Sequence, residues 1–337
     1  NTLKFGFNAI SHSYHPGEIN ADDDDLLNSI FMNEKQAYEG SLYLSHEWNI
    51  SDRMKVTYGL RYSGFMAVGP DTVYTYNDND ERTNTEVFSD GEIITKYKNI
   101  EPRATFNIIL NRNSSIKFSY ARNAQYVHLL SNSSASLPTD VWIPSSKNVK
   151  PQIADQLAAG FFRNFKNNMF ETSLEVYYKD LFNQIDYQNG AEILLNKDVE
   201  SQLVFGKGRA YGLELYVKKR TGKLTGWIGY TLSRTEKSMD EIENGRWFPA
   251  KQDRTHDISV VGMYQLNEKW NLSANWVYNT GNAVTFPSGK YSVDEFTVPV
   301  YTERNGYRMP NYHRLDIGAT YTPKKKKRFE YKPEREK

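Results

Sequence analysis

Residues 170 to 179 read Phe170-Glu171-Thr172-Ser173-Leu174-Glu175-Val176-Tyr177-Tyr178-Lys179. Phe170, Thr172, Leu174, Val176 and Tyr178 alternate with Glu171, Ser173, Glu175, Tyr177 and Lys179. Successive side chains of a strand point to opposite faces, so this stretch is a strand with one apolar and one polar side. The pattern recurs on both flanks. Tyr211, Leu213, Leu215 and Val217 alternate with Gly212, Glu214, Tyr216 and Lys218, and Trp270, Leu272, Ala274, Trp276 and Tyr278 alternate with Asn271, Ser273, Asn275 and Asn279. Weaker versions run through Val56, Tyr58, Leu60 and Tyr62, and through Leu315, Ile317, Ala319 and Tyr321.

Taken together these runs predict about twelve strands, near 2–14, 36–50, 54–68, 101–111, 115–127, 152–164, 168–181, 207–220, 223–235, 253–266, 269–283 and 311–322. Many reach about 11 to 15 residues, longer than the usual globular strand of about 5 or 6 and suited to a tilted bilayer crossing. The connections alternate in kind. Short turns carry Ser51-Asp52-Arg53, Asn111-Arg112-Asn113-Ser114, Lys166-Asn167-Asn168, Thr221-Gly222 and Asn267-Glu268-Lys269. Long polar connections fall near 15–35, 69–100, 128–151, 182–206, 236–252 and 284–310. Tight turns at one end and long, structureless loops at the other describe an all-β, antiparallel, up-and-down transmembrane barrel. A compact soluble domain accommodates few such loops.

Composition fits that class. The chain has 337 residues, no Cys, and 42 Lys and Arg against 41 Asp and Glu, so disulfide scaffolds, thiolate metal sites and a nucleic-acid partner are all disfavoured. There are 24 Tyr, 17 Phe and 6 Trp although only 39% of residues are hydrophobic. Mean hydropathy is −0.70, which a barrel tolerates because only alternate strand residues face lipid. No run approaches the roughly 20 apolar residues of a membrane helix. Trp48, Tyr264 and Trp270 sit beside short turns, where an interfacial aromatic belt would fall. The competing architecture, a soluble sandwich or propeller, does not need long strands with fully polar second faces.

Several segments resemble the barrel of TonB-dependent outer-membrane transporters, especially receptors with a carboxypeptidase-regulatory-like leader domain. They are Gly206-Lys207-Gly208-Arg209-Ala210-Tyr211-Gly212-Leu213-Glu214-Leu215, Trp247-Phe248-Pro249-Ala250 with Asp253-Arg254-Thr255-His256-Asp257, Trp276-Val277-Tyr278-Asn279-Thr280-Gly281, and Arg308-Met309-Pro310-Asn311-Tyr312-His313-Arg314-Leu315-Asp316. Tyr58-Gly59-Leu60-Arg61-Tyr62 and Glu101-Pro102-Arg103-Ala104 fit the same family. The resemblance implies a barrel of about 22 strands closed around a plug, of which this chain supplies a part. Residues 1–323 are then a partial barrel, roughly the ninth through twentieth strands, and 324–337 a charged tail in place of the last hairpin. It also implies the outer membrane of a Gram-negative bacterium, contact with lipid, and no catalysis. Active import of a scarce solute (siderophore, glycan or peptide) would be driven by the TonB complex through a plug outside these residues. A surface lipoprotein is a further implied partner. The alternatives are a barrel for passive diffusion or adhesion, and a soluble carbohydrate-binding β domain.

Candidate sites follow from loop position. Tyr74, Tyr76, Trp142, Trp247 and Phe248 offer aromatic faces for a ligand, or for packing against neighbouring loops, with no cofactor or metal required. His12 and His15 lie near the acidic run Asp22 to Asp25, but a solvated loop explains them more simply. Asp78, Asp80 and Glu81 lack the spacing of an EF-hand. Gly206, Gly208 and Gly212 are spaced as GxGxxxG with no helix following, unlike a phosphate loop. Asp253, His256 and Asp257 have no nucleophile context. Lys324 to Lys327 read as a solvated basic turn.

Overall fold

The computed structural model describes residues 1–15, 18–19, 30–31, 34–77, 81–130, 140–191, 196, 198–293 and 296–323. Asp22 to Asp25, Asp78, Asp80 and the 324–337 tail therefore lie outside the described residues.

Twelve strands form one antiparallel sheet in which chain order is sheet order. They are β1 (Thr2–Tyr14), β2 (Lys35–Ser51), β3 (Met54–Val68), β4 (Ile93–Asn111), β5 (Ser114–Gln125) and β6 (Gln152–Phe165), then β7 (Phe170–Tyr187), β8 (Leu203–Lys219), β9 (Leu224–Met239), β10 (His256–Gln265), β11 (Trp270–Asn279) and β12 (Tyr312–Tyr321). The two-residue strand Phe248–Pro249 continues the sheet beside the outer part of β9. Each strand pairs only with its sequence neighbours, which is the up-and-down meander expected from the alternating connections.

The register shows why the sequence alternates. One row of paired residues runs Trp48, Val56, Phe106, Phe118, Ala159, Val176, Leu213, Leu232, His256 across β2 to β10. The row one residue away on the other face runs Glu47, Thr57, Thr105, Ser119, Ala158, Tyr177, Gly212, Ser233. The first row is apolar up to His256 and exposed or half-exposed; the second is mostly polar or small. That division is the inverse of a soluble protein and matches lipid outside and a polar lumen inside. The apolar row starts beside an inner turn at Trp48 and ends at the outer end of β10, so the strands stagger as tilted barrel strands must.

Two expectations are corrected. The long connections are not structureless. Asp71–Tyr76 pairs with Arg82–Phe88, Val127–Leu130 with Val141–Pro144, and Gly289–Val293 with Phe296–Val300. β4 begins at Ile93, β7 runs to Tyr187, β8 starts at Leu203 and β9 continues to Met239, which shortens the loops expected at 69–100, 182–206 and 236–252. In β7 the reason is a bulge: the register shifts between Leu181 and Gln184, with Asn183 at φ 54°. The extra residue reverses which positions face the lumen, so alternation stops in the sequence while the strand continues. Nor is the lumen side polar throughout. Near the outer ends of β1 to β5, Tyr14, Ala37, Phe65, Ala67, Ile94 and Tyr126 form a core that seats Val73 of the Asp71–Tyr76 hairpin.

Candidate functional site

The outer hairpins are held onto the lumen-side wall by polar contacts around that core. The Phe65 and Tyr126 rings stack at 5.1 Å. Tyr126 Oη lies 2.8 Å from Ser63 Oγ and accepts from Asn99 Nδ2 at 2.8 Å, while Ser63 donates to Glu101 at 2.5 Å. At the start of β2, Lys35 Nζ reaches Asp71 at 3.1 Å and Glu200 at 3.7 Å. Asn148 Nδ2 donates to the Tyr74 carbonyl at 3.0 Å and to Glu200 at 2.7 Å. Three connections that are far apart in sequence are thereby locked into one layer against the start of β2.

The five aromatic candidates do not converge. Tyr74 and Tyr76 are half-buried; the Arg82 guanidinium covers the Tyr74 ring at 4.0 Å and pairs with Asp198. The cavity they share with Lys35, Asp71 and Glu200 is only about 50 Å³, room for water rather than a solute. Trp142 is 53% exposed, paired across its hairpin with the exposed Leu129. Trp247 stacks on Arg209 at 4.2 Å, and Arg209 shares the lipid-facing side of β8 with Tyr211 and Leu213. Phe248 is buried with Val204, Met239 and Ile242, so its ring is a packing element.

A polar cluster that the sequence did not reveal lies above the lumen. Beyond the β7 bulge, Asp186 accepts from Lys237 Nζ at 3.2 Å and from Arg304 Nη2 at 2.5 Å; Arg304 also donates to the Tyr187 carbonyl at 2.7 Å. An adjoining cavity of about 310 Å³ is lined by Asp186, Gln188, Lys251, Thr285, Arg304 and Asn305. A second, of about 230 Å³, shares Asp186, Tyr187 and Lys251 and adds His128, Gln184 and Lys237. Burial and the neighbouring Lys237 lower the pKa of Lys251 below the usual lysine range, with Asp186 and Asp140 offsetting part of the effect. Asp186 and Arg304 are 118 positions apart, in segments read as loops, and no local spacing ties them together.

The remaining motifs resolve into structure. Asp253 is fully buried and receives Arg308, Arg234 at 3.6 Å and the Thr235 amide at 2.5 Å. His256 bonds Tyr230 at 2.9 Å, whereas the adjacent Asp257 accepts from Asn279 at 3.1 Å on the opposite face, so the three form no reactive set. His12 lies 3.6 Å from Glu39 and His15 2.9 Å from Glu34. Among the described residues no group of three or more His, Asp or Glu is placed to hold a metal ion. Gly206 and Gly212 allow close approach of β9: a Cβ would meet the Ser238 carbonyl at 2.2 Å and the Leu232 carbonyl at 2.7 Å. The glycine spacing therefore serves strand packing.

Comparison with known proteins agrees with this architecture. No curated protein matches the chain. Among solved structures, the FrpB iron transporter from Neisseria meningitidis (F3-3 variant) is similar at 16% identity and TM-score 0.57, covering 95% of this chain and 45% of that one. The ferric-catecholate import receptor Fiu from E. coli K12 gives 15% identity and TM-score 0.55, with 94% and 45% covered. The outer-membrane ferripyoverdine receptor of Pseudomonas aeruginosa gives 14% and 0.58, with 95% and 39% covered. The chain thus spans less than half the length of each, and at these identities the likeness is one of fold. The family model described as TonB dependent receptor-like, beta-barrel matches residues 1–331. With its lipid-facing apolar rows, polar lumen and alternating connections, the chain belongs to the TonB-dependent receptor β-barrel family of the Gram-negative outer membrane.

Proposed function

We propose that this chain forms part of the wall of an active outer-membrane importer, which captures a scarce solute at its outer loops and lumen. The observation that carries this reading is the lumen-side assembly at Asp186, Lys237, Lys251 and Arg304. There two adjoining cavities sit between outer loops that the wall holds rigidly. A binding site mounted on a stiff scaffold loses little entropy when its ligand arrives. Trp142, exposed on its hairpin, is the aromatic candidate best placed to add a ligand contact; Tyr74 and Tyr76 shape the layer beneath. No bond chemistry is part of this function.

The energy source in this reading is the TonB complex, acting through a plug supplied by another part of the receptor, and a surface lipoprotein covering the outer loops is a compatible partner. The named solutes of the similar structures, iron, ferric catecholate and ferripyoverdine, belong to those proteins; siderophore, glycan and peptide remain candidates here. The test is solute uptake by a strain deleted for the full-length gene, complemented with parent, Arg304→Ala or Lys251→Ala. At least a tenfold loss of uptake for one solute class in the variants, with normal surface levels, supports the reading. Undiminished uptake of every solute that the parent restores contradicts the proposed site.

A further inference from the structure

Beneath the Asp71–Tyr76 hairpin, away from the Asp186 cavities, an amine meets two carboxylates that come from separate elements. Lys35 opens β2, Asp71 opens the hairpin strand, and Glu200 lies in the 3₁₀ turn Val199–Gln202. Lys35 Nζ is 3.1 Å from Asp71 Oδ2 and 3.7 Å from Glu200 Oε1. Each carboxylate is also fixed through its other oxygen. The Thr72 amide donates to Asp71 Oδ1 at 2.9 Å, and Asn148 Nδ2 donates to Glu200 Oε2 at 2.7 Å. Val68, Val73, Ile94 and Ile143, with Tyr74 and Tyr76, close the cavity of about 50 Å³ around them. The Lys35, Asp71 and Glu200 side chains are 26%, 10% and 13% exposed, so the group is largely withdrawn from water.

Burial works to lower the Lys35 pKa, but Glu200 and Asp71 together outweigh it and hold the amine as an ammonium at rest. Charges taken out of water cost solvation that their mutual attraction repays only in part. A neutral amide between Lys35 and Asp71 removes two of these three charges. Reacting groups held in register reach effective concentrations of about 10⁵ to 10⁸ M, which offsets the tendency of an amide to hydrolyse.

We propose that Lys35 and Asp71 condense to a side-chain amide, with Glu200 as general acid and base. The ammonium passes one proton to Asp71 Oδ2, leaving an amine beside a carboxylic acid. Nζ attacks Asp71 Cγ, and the Thr72 amide stabilises the negative charge that develops on Oδ1. Glu200 takes a proton from the nitrogen and returns it to the Oδ2 hydroxyl, which leaves as water. One N–C bond forms, one C–O bond breaks, and Glu200 ends as the carboxylate it was at the start. The bond ties the Asp71–Tyr76 hairpin covalently to the barrel wall, whichever solute is imported. Lys147 and Glu86, 2.6 Å apart but 34% and 40% exposed, are an ordinary ion pair and stay unlinked.

The test is peptide mass spectrometry of the full-length receptor, purified from outer membranes and digested with trypsin after denaturation. The expected product joins residues 5–53 to residues 62–82, because trypsin does not cut after an acylated lysine, and weighs one water less than the two peptides together. It is expected to carry at least half of the Lys35 signal in the parent, to be absent from Lys35→Arg, and to fall at least tenfold in Glu200→Gln. Lys35→Arg keeps the positive charge, and heat-modifiable migration of both variants checks that the barrel assembles. A parent that yields only unlinked peptides overturns the proposal. So does an undiminished link in Glu200→Gln. Linkage of Lys147 to Glu86 in the same proportion also overturns it, because the enclosed site would then have no special reactivity.

Discussion

At the scale of single residues, burial decides which polar side chains matter. His128 is 2% exposed in the Val127–Leu130 strand, bonded through Nε2 to Ser145 at 2.9 Å, and burial lowers its pKa from 6.5 to about 4. At neutral pH the packed and opened hairpins both carry a neutral ring. Between pH 6.5 and about 4 the opened form takes up a proton that the packed form refuses, so stability falls as pH falls, by about 1.4 kcal/mol per unit. Hydrogen exchange of the Val127–Leu130 and Val141–Pro144 hairpin, corrected for intrinsic rates, is expected to speed at least tenfold between pH 6.5 and 5. In His128→Gln that dependence disappears, and equal protection of the parent at both pH values contradicts the assignment. Asp253 makes a second case. Asp253→Ala strands Arg308 and Arg234 and frees the Thr235 amide. The expected loss is on the order of 3 kcal/mol, at the low end for a buried pair because both arginines keep some solvent. A thermal melt of the full-length receptor in detergent checks it, and an unchanged midpoint refutes it. Neither role was legible in the sequence. His128 stood in an apparent loop, and Asp253 was noticed beside His256 for a chemistry that the two faces of the sheet keep apart.

At the scale of elements, the sequence was most informative where only one rule operated. In β7 the alternation from Phe170 to Tyr178 reflects lipid on one side and lumen on the other, and each residue landed on the expected face. It became silent at Asn183, where the bulge inverted the faces, and in the outer hairpins, where both sides meet protein or water and no period survives. The aromatic candidates failed to converge for a related reason. Trp247 immediately precedes the two-residue strand that Phe248 opens, and the two rings part: Trp247 lies against Arg209, Phe248 against Val204, Met239 and Ile242. The two faces also predict opposite responses to charge. Val176→Arg, in the middle of the apolar row, is expected to cost about 2 to 4 kcal/mol and to lower the yield of heat-modifiable, membrane-assembled receptor. Glu175→Arg, one residue away on the lumen side, is expected to assemble normally. Equal yields for the two would refute the assignment of faces.

At the scale of the whole molecule, the account depends on a direction. Long connections must lie outside the cell and tight turns in the periplasm, because the candidate cavities and the Trp142 hairpin belong to the first set and the Trp48, Tyr264 and Trp270 belt to the second. A sheet of this length is stable in hydrocarbon only when both edge strands are paired, so the wall has to be tested within the full-length receptor. These residues contain no Cys, which makes single-cysteine labelling direct. Asp90→Cys and Glu241→Cys report the long connections; Asp52→Cys and Arg112→Cys report the tight turns. The decisive measurement is labelling of these four variants with a bulky, membrane-impermeant maleimide on intact cells. The account predicts reaction at positions 90 and 241 and none at 52 and 112 until the outer membrane is permeabilised. Labelling of 52 and 112 on intact cells, or protection of 90 and 241, would contradict it.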